Sequence, residues 1–215
     1  MRQHVNPLSQ FFQLPLAIPR NTVLFREPFY PIHLDIGSAK GEFLIELALK
    51  YPNWNFLGLE IREPLVISSE SKRKKLELHN LKFLFCNVNV SLDDWLSDLD
   101  CNQLKRVTIQ FPDPWFKRKH FKRRVLKLNL LNSIAKSMSK DGELFIQSDI
   151  FKLIEYMTNI IDKSNYFDRK ILGGLKWLDK NPYSVCTDRE IFVLKKNLPI
   201  YRAMYFRNSK LYINN

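Results

Sequence analysis

His33-Leu34-Asp35-Ile36-Gly37-Ser38-Ala39-Lys40-Gly41-Glu42-Phe43 is the stretch on which the fold turns. Residues 32–36 read as a strand and 37–41 as a loop. Behind them Phe43, Leu44, Leu47, Ala48 and Tyr51 recur at helical spacing. A glycine-bearing turn between strand and helix lets a ligand come close to the backbone. The chain has only six glycines, so two in one turn are informative. Their spacing is GxxxG rather than the GxGxxG of dinucleotide-binding turns, which disfavours a nicotinamide cofactor. Asp35, at the end of the strand, adds to this. A carboxylate there suits a cationic aminoacyl-sulfonium ligand and would repel a pyrophosphate. An ordinary strand-to-helix turn would also explain these residues taken alone.

Outward from this turn, strands alternate with helices. Residues 55–59, 81–86, 105–111 and 143–147 read as strands two to five, the fifth entered by a turn at Asp141 and Gly142. Residues 64–78, 122–138 and 150–164 read as helices, and 200–206 as a late strand. This alternation predicts a mostly parallel α/β sheet with ligands at the C-terminal ends of its strands. Residues 1–30 lack periodicity and carry Pro7, Pro15, Pro19 and Pro28, so they read as an N-terminal arm over a single domain spanning 31–215.

The strand ends carry the polar groups. Glu60 closes the second strand, where a carboxylate accepts hydrogen bonds from both ribose hydroxyls of an adenosine. Asn87 follows the third strand, with an amide suited to an adenine edge, although such a residue often serves only a turn. The fourth strand runs into Phe111-Pro112-Asp113-Pro114-Trp115-Phe116-Lys117, in which two prolines frame one carboxylate. Seven Lys or Arg residues lie between Lys117 and Lys127, interleaved with His120 and Phe121. A charge run is usually a solvated face. This one leaves the strand end where the ligand crevice is expected, and cations beside stacking aromatics suit an RNA-binding rim.

From residue 32 to 206 these ordered motifs resemble the bacterial-type tRNA (guanine-N7)-methyltransferases, most specifically in the turn from Phe111 to Lys117 and the basic stretch after it. The resemblance implies a Rossmann-like class I methyltransferase fold: a central, mostly parallel sheet flanked by helices, with a late antiparallel strand. It also implies S-adenosylmethionine as cofactor, tRNA as partner, and the variable-loop guanosine at tRNA position 46 as target. By the same resemblance, Asp35, Gly37, Glu60, Asn87 and Asp113 bind cofactor and Asp113 is catalytic. Lys117, Asp149 and the late Thr187-Asp188-Arg189-Glu190 contact substrate. Lys119, Lys122, Arg123 and Arg124 are expected to contact RNA phosphates. Ser38-Ala39 stands where relatives usually carry another glycine, and Asn87 where they carry Asp.

Composition sets the outer limits. Forty-five per cent apolar residues and 13% aromatics exclude a mostly disordered chain. The net charge of +12 favours a polyanionic partner, although a Lys-rich background also raises it. No apolar run reaches membrane-spanning length and no cleavable leader is evident. Cys86, Cys101 and Cys186 form neither a metal knuckle nor a disulfide framework. The expectation is therefore a metal-free protein without membrane anchorage, of the cytoplasm or of an organelle's stroma or matrix. A monomer and a homodimer are both left open. A nicotinamide oxidoreductase, a non-catalytic RNA-binding relative, and a methyltransferase acting on DNA or protein are the competing readings. The second should have lost Asp35, Glu60 or Asp113, and all three are present.

Overall fold

The computed structural model describes residues 5–171 and 174–209. The last residues of the expected domain, 210–215, lie outside them.

Seven strands form one sheet: β1 (Ile32–Ile36), β2 (Asn55–Glu60), β3 (Leu81–Phe85), β4 (Leu104–Gln110), β5 (Met138–Ser148), β6 (Phe167–Arg169) and β7 (Tyr201–Arg207). Their order is β3-β2-β1-β4-β5-β7-β6. The first five are parallel, and β7 runs antiparallel to both neighbours. β1 and β2 are buried at every position, as strands covered by helices on both faces must be. Ile32, Leu34 and Ile36 face one apolar cluster with Leu130, Ile134, Leu153 and Ile161. Phe56, Leu81, Phe83 and Phe145 pack on the other side with Phe43, Leu44 and Leu47. The strand order reverses between β1 and β4, and that switch point opens a crevice at the C-terminal edge.

The helices follow their apolar stripes: α2 (Glu42–Lys50), α3 (Glu63–Lys75) and α6 (Phe151–Lys163) lie within a few residues of expectation. The helix expected over 122–138 is shorter. A 3-10 helix (Arg118–Arg123) comes first, then extended backbone, and α5 begins only at Leu128 and ends at Ser137. The apolar stripe misleads because Leu126, only 1% exposed, reaches the core from extended chain. Asp141 and Gly142 do not precede β5 but sit inside it. The pairing with β4 jumps there, from Leu104 opposite Met138 to Arg106 opposite Glu143. Elements beyond those expected are α4 (Val88–Ser97), the three-residue β6 and α7 (Asp188–Lys195).

The N-terminal segment crosses the sheet's edge. It begins with a 3-10 helix (Gln10–Gln13), in which Phe11 and Phe12 set their rings against Phe85. α1 (Asn21–Leu24) follows, and Leu24 and Phe25 are buried in the core.

Candidate active site

At the switch point lies a cleft. Ile36 and Gly37 at the end of β1, Glu60 and Arg62 at the end of β2, Asn87 after β3, and Gln110, Asp113 and Trp115 at the end of β4 all line it. Four of the five expected cofactor residues therefore meet in one space. Asp35 does not line it.

Asp35 is 4% exposed and lies behind the cleft wall. Its Oδ1 accepts a hydrogen bond from Thr108 Oγ1 at 2.6 Å. Burial raises its pKa to about 6, opposed by the Thr108 hydrogen bond and the nearby Gln110 amide and helped by the Glu60 charge. The Thr108 hydroxyl, having given its proton to Asp35, accepts from His33 Nε2 at 3.1 Å. Burial, and secondarily the Arg106 charge, lower the His33 pKa to about 3, so that imidazole is neutral.

Gly37 holds φ +85° with open space where a side chain would stand. The next turn residue in the left-handed region is Ala39, at φ 49°. This chain thus puts an alanine into a glycine-like conformation. The Ala39 N–H donates to Glu60 Oε2 at 3.0 Å, tying the first loop to the second.

Glu60 is 3% exposed. Its Oε1 accepts from Arg62 N and Nε at 3.0 and 2.9 Å, and its Oε2 accepts from Arg62 Nη2 at 3.0 Å. Ribose hydroxyls reaching this carboxylate would replace the guanidinium. Asn87 has two partners of a different kind. Its Oδ1 caps α4 by accepting from Asn89 N at 3.2 Å. Its Nδ2 donates to the carbonyls of Pro7 at 3.1 Å and Phe12 at 3.0 Å. An Asp could not make the latter two bonds, which gives the Asn in this chain a physical reason. It fastens the N-terminal segment, whose Val5 and Pro7 complete the cleft wall.

The Asp113 turn is held in a strained conformation. Phe111 and Trp115, neither of them glycine, take φ of 48° and 46° on either side of it. Phe111 N donates to Gln147 O at 2.8 Å, and Arg124 Nε donates to Pro114 O at 3.0 Å. Arg124, expected at an RNA phosphate, is thus turned inward. It is 5% exposed, and its guanidinium lies over Phe121 at 3.8 Å and Tyr156 at 4.5 Å. Its neighbour Arg123 lines the cleft and stacks over Trp115 at 4.9 Å. Lys117, Lys119 and Lys122 are exposed, at the rim.

The late motif is mostly internal. Glu190 is fully buried, accepting at Oε1 from Arg202 Nε and Nη2, at 3.2 and 2.9 Å, and at Oε2 from Asn181 at 2.7 Å and Gln147 at 3.1 Å. Thr187 Oγ1 accepts from Glu190 N at 3.2 Å and caps α7. Thr-x-x-Glu here is an N-cap with a buried carboxylate, so Glu190 is not available to substrate. Arg189 ion-pairs with Asp149 at the end of β5, and exposed Asp188 lies 3.9 Å from Lys40. Sequence patterning does not single out Arg62, Gln110 or the arm as parts of the site. The only signal for Gln110 is that a polar residue closes an otherwise apolar strand end.

S-adenosylmethionine fits this donor set. An open glycine turn admits its backbone-hugging end, a buried acid lies behind that turn, and a second carboxylate faces the ribose position. The fold and cleft define a class I, S-adenosylmethionine-dependent methyltransferase. Solved structures share the architecture. A precorrin-6y C5,15-methyltransferase from Geobacter metallireducens GS-15 aligns over 87% of this chain and 86% of its own, at TM-score 0.53 and 13% identity. The 16S rRNA methyltransferase KamB aligns over 84% and 89%, at TM-score 0.55 and 12% identity. A family model described as putative methyltransferase matches residues 30–203. The tRNA (guanine-N(7)-)-methyltransferase of Prochlorococcus marinus (strain NATL1A) is 78% identical over 100% of both chains. The protein of that name from Parasynechococcus marenigrum (strain WH8102) is 50% identical, over 97% of this chain and 89% of its own. The chain belongs to the tRNA (guanine-N(7)-)-methyltransferase family. Among the described residues no helix is long and apolar enough to cross a membrane, and no group of three or more His, Cys, Asp or Glu could hold a metal.

Proposed function

We propose that the target is the variable-loop guanosine at tRNA position 46, and that Asp113 orients it. The reaction is that of the family, methyl transfer from S-adenosylmethionine to N7 of a guanine in tRNA. When bound, the cofactor supplies an electrophilic sulfonium methyl. Guanine N7 carries an in-plane lone pair and no proton, so no base is needed to free the nucleophile. The protein has to place N7 in line and stabilise a ring that becomes cationic. An Asp113 carboxylate accepting from guanine N1–H and the exocyclic amine would do both, because that edge lies opposite N7. Adenine offers no such pair of donors. Lys117, Lys119 and Lys122 would hold the flanking phosphates, and Asp149, Asp188 and Arg189 would meet the RNA beside them.

The observation that supports this reading is that Asp113 lines the same cleft as Gly37 and Glu60, with the exposed lysines starting at the adjoining rim. The test is to incubate purified protein and S-adenosylmethionine with unmodified tRNA, then map N7-methylguanosine by chemical cleavage. Cleavage at position 46 is expected. Cleavage at another guanosine removes the assigned position, and methyl incorporation without cleavage removes N7.

A further inference from the structure

We propose that Gln110 orients the cofactor, its amide donating to the carboxylate of the aminoacyl end of S-adenosylmethionine, and that Glu190 and Gln147 fix its direction. The proposal rests on the cofactor reading above.

Gln110 is the last residue of β4, 8% exposed, and lines the cleft. Hydrogen-bond chemistry decides which way its amide points. Glu190 is held by the Arg202 guanidinium and lies against Gln147. A carboxylate only accepts, so Gln147 must turn its NH2 toward it. The same Nε2 donates to Gln110 Oε1 at 2.8 Å. With its carbonyl engaged there, Gln110 has no choice but to send its NH2 the other way. That Nε2 is buried and reaches no hydrogen-bond partner among the described residues. A buried amide donor without a partner, on a residue that lines the cleft, marks a place where a ligand supplies the acceptor.

The surroundings identify that acceptor. The Gln110 amide faces Asp35 closely enough to favour its ionised form, without a hydrogen bond of good geometry, and Gly37 lines the same cleft. The aminoacyl end of the cofactor is a zwitterion, needing negative potential for its ammonium and a donor for its carboxylate. Asp35 supplies the first. Glu60 and Asp113 would repel the carboxylate, and Arg62 stands beside Glu60, at the ribose position. Gln110 is the neutral donor at that end.

The experiment compares two ligands by calorimetry on the full chain. S-adenosylhomocysteine carries the aminoacyl group, and 5′-methylthioadenosine lacks it while keeping the adenosine and sulfur. Gln110→Leu is expected to weaken S-adenosylhomocysteine binding by about 10–100-fold, the scale of one hydrogen bond to a charged group, and to leave methylthioadenosine unchanged. Gln147→Leu is expected to reproduce part of that selective loss, since it removes the donor that fixes the Gln110 amide. Equal weakening of both ligands by Gln110→Leu would overturn the proposal in favour of a structural role. Unchanged S-adenosylhomocysteine binding with slower tRNA methylation would overturn it in favour of a contact to the guanine. If Gln147→Leu has no selective effect, its positioning role is overturned. Failure of the wild-type protein to bind either ligand would instead sink the cofactor reading itself.

Discussion

The basic segment after Asp113 and the late Thr187–Glu190 segment both carry charge that the family resemblance assigns to substrate, yet the fold sends them in opposite directions. Lys117, Lys119 and Lys122 stay at the surface. Glu190 is at 0% exposure, in a chain running through Gln147 to Gln110. The difference lies in what each charge meets. A run of lysines without opposing acids has no counter-charge to accompany it inward, and burying it unpaired would be prohibitive. Glu190 meets Arg202, Asn181 and Gln147, four donated bonds that make a buried carboxylate tolerable. Two neighbours, Arg123 and Arg124, divide in the same way: one lines the cleft, the other clamps Pro114 from inside.

The hardest test of the contrast is Glu190→Ala. It leaves the Arg202 guanidinium buried without its counter-ion, and should cost ~3–5 kcal/mol in urea denaturation. A cost below about 1 kcal/mol, with tRNA affinity lost instead, would return Glu190 to the substrate.

Asp113 comes next, as the carboxylate at the open end of the same edge. Asp113→Asn and Asp113→Ala should each slow single-turnover methylation by ~100-fold or more, with melting temperature near wild type. Rates within a few-fold of wild type in both variants would remove it from the chemistry.

The rim lysines should act on binding alone. Lys119→Ala with Lys122→Ala should weaken tRNA binding and flatten log affinity against log salt, by roughly 0.7–0.9 for each phosphate no longer neutralised. Arg124→Ala should lower stability and methylation while leaving that slope in place. If instead Arg124→Ala alone flattens it, the inward and outward arginines have been misassigned.

The smallest effect sharpens the comparison within one motif. Asp188 is exposed, 3.9 Å from an exposed Lys40, and such pairs contribute ~0–1 kcal/mol. Asp188→Ala should therefore barely move the urea midpoint, two residues away from the costliest change. A loss comparable to that of Glu190→Ala would show that the whole segment is structural.

Much of this architecture is legible in the order of residues. The strands are, because short segments rich in β-branched residues, leucine and phenylalanine recur between helical stretches. The helix expected at 122–138 is too long because Leu126 satisfies a helical stripe while reaching the core from extended chain. β6 is too short to show periodicity, whereas α4 does carry a helical stripe of Val88, Leu92, Trp95 and Leu96 behind its Asn cap. Within the cleft, Gly37, Glu60, Asn87 and Asp113 can be named because each closes or follows a strand, and parallel strands deliver their C-terminal ends to one edge.

What the sequence determined by itself is therefore the alternation of elements, the switch-point turn, and the chemical type of each group placed along that edge. These depend on local spacing and on the direction of the strands. Which groups face the cleft was decided only in three dimensions. Asp35 lies behind its wall, Asn87 fastens the arm, and Glu190 aims Gln110 from within. A polar side chain turns inward when distant residues supply its partners. Gln147 and Glu190 stand 43 positions apart, Asn87 and Pro7 80, and no local pattern records such a meeting.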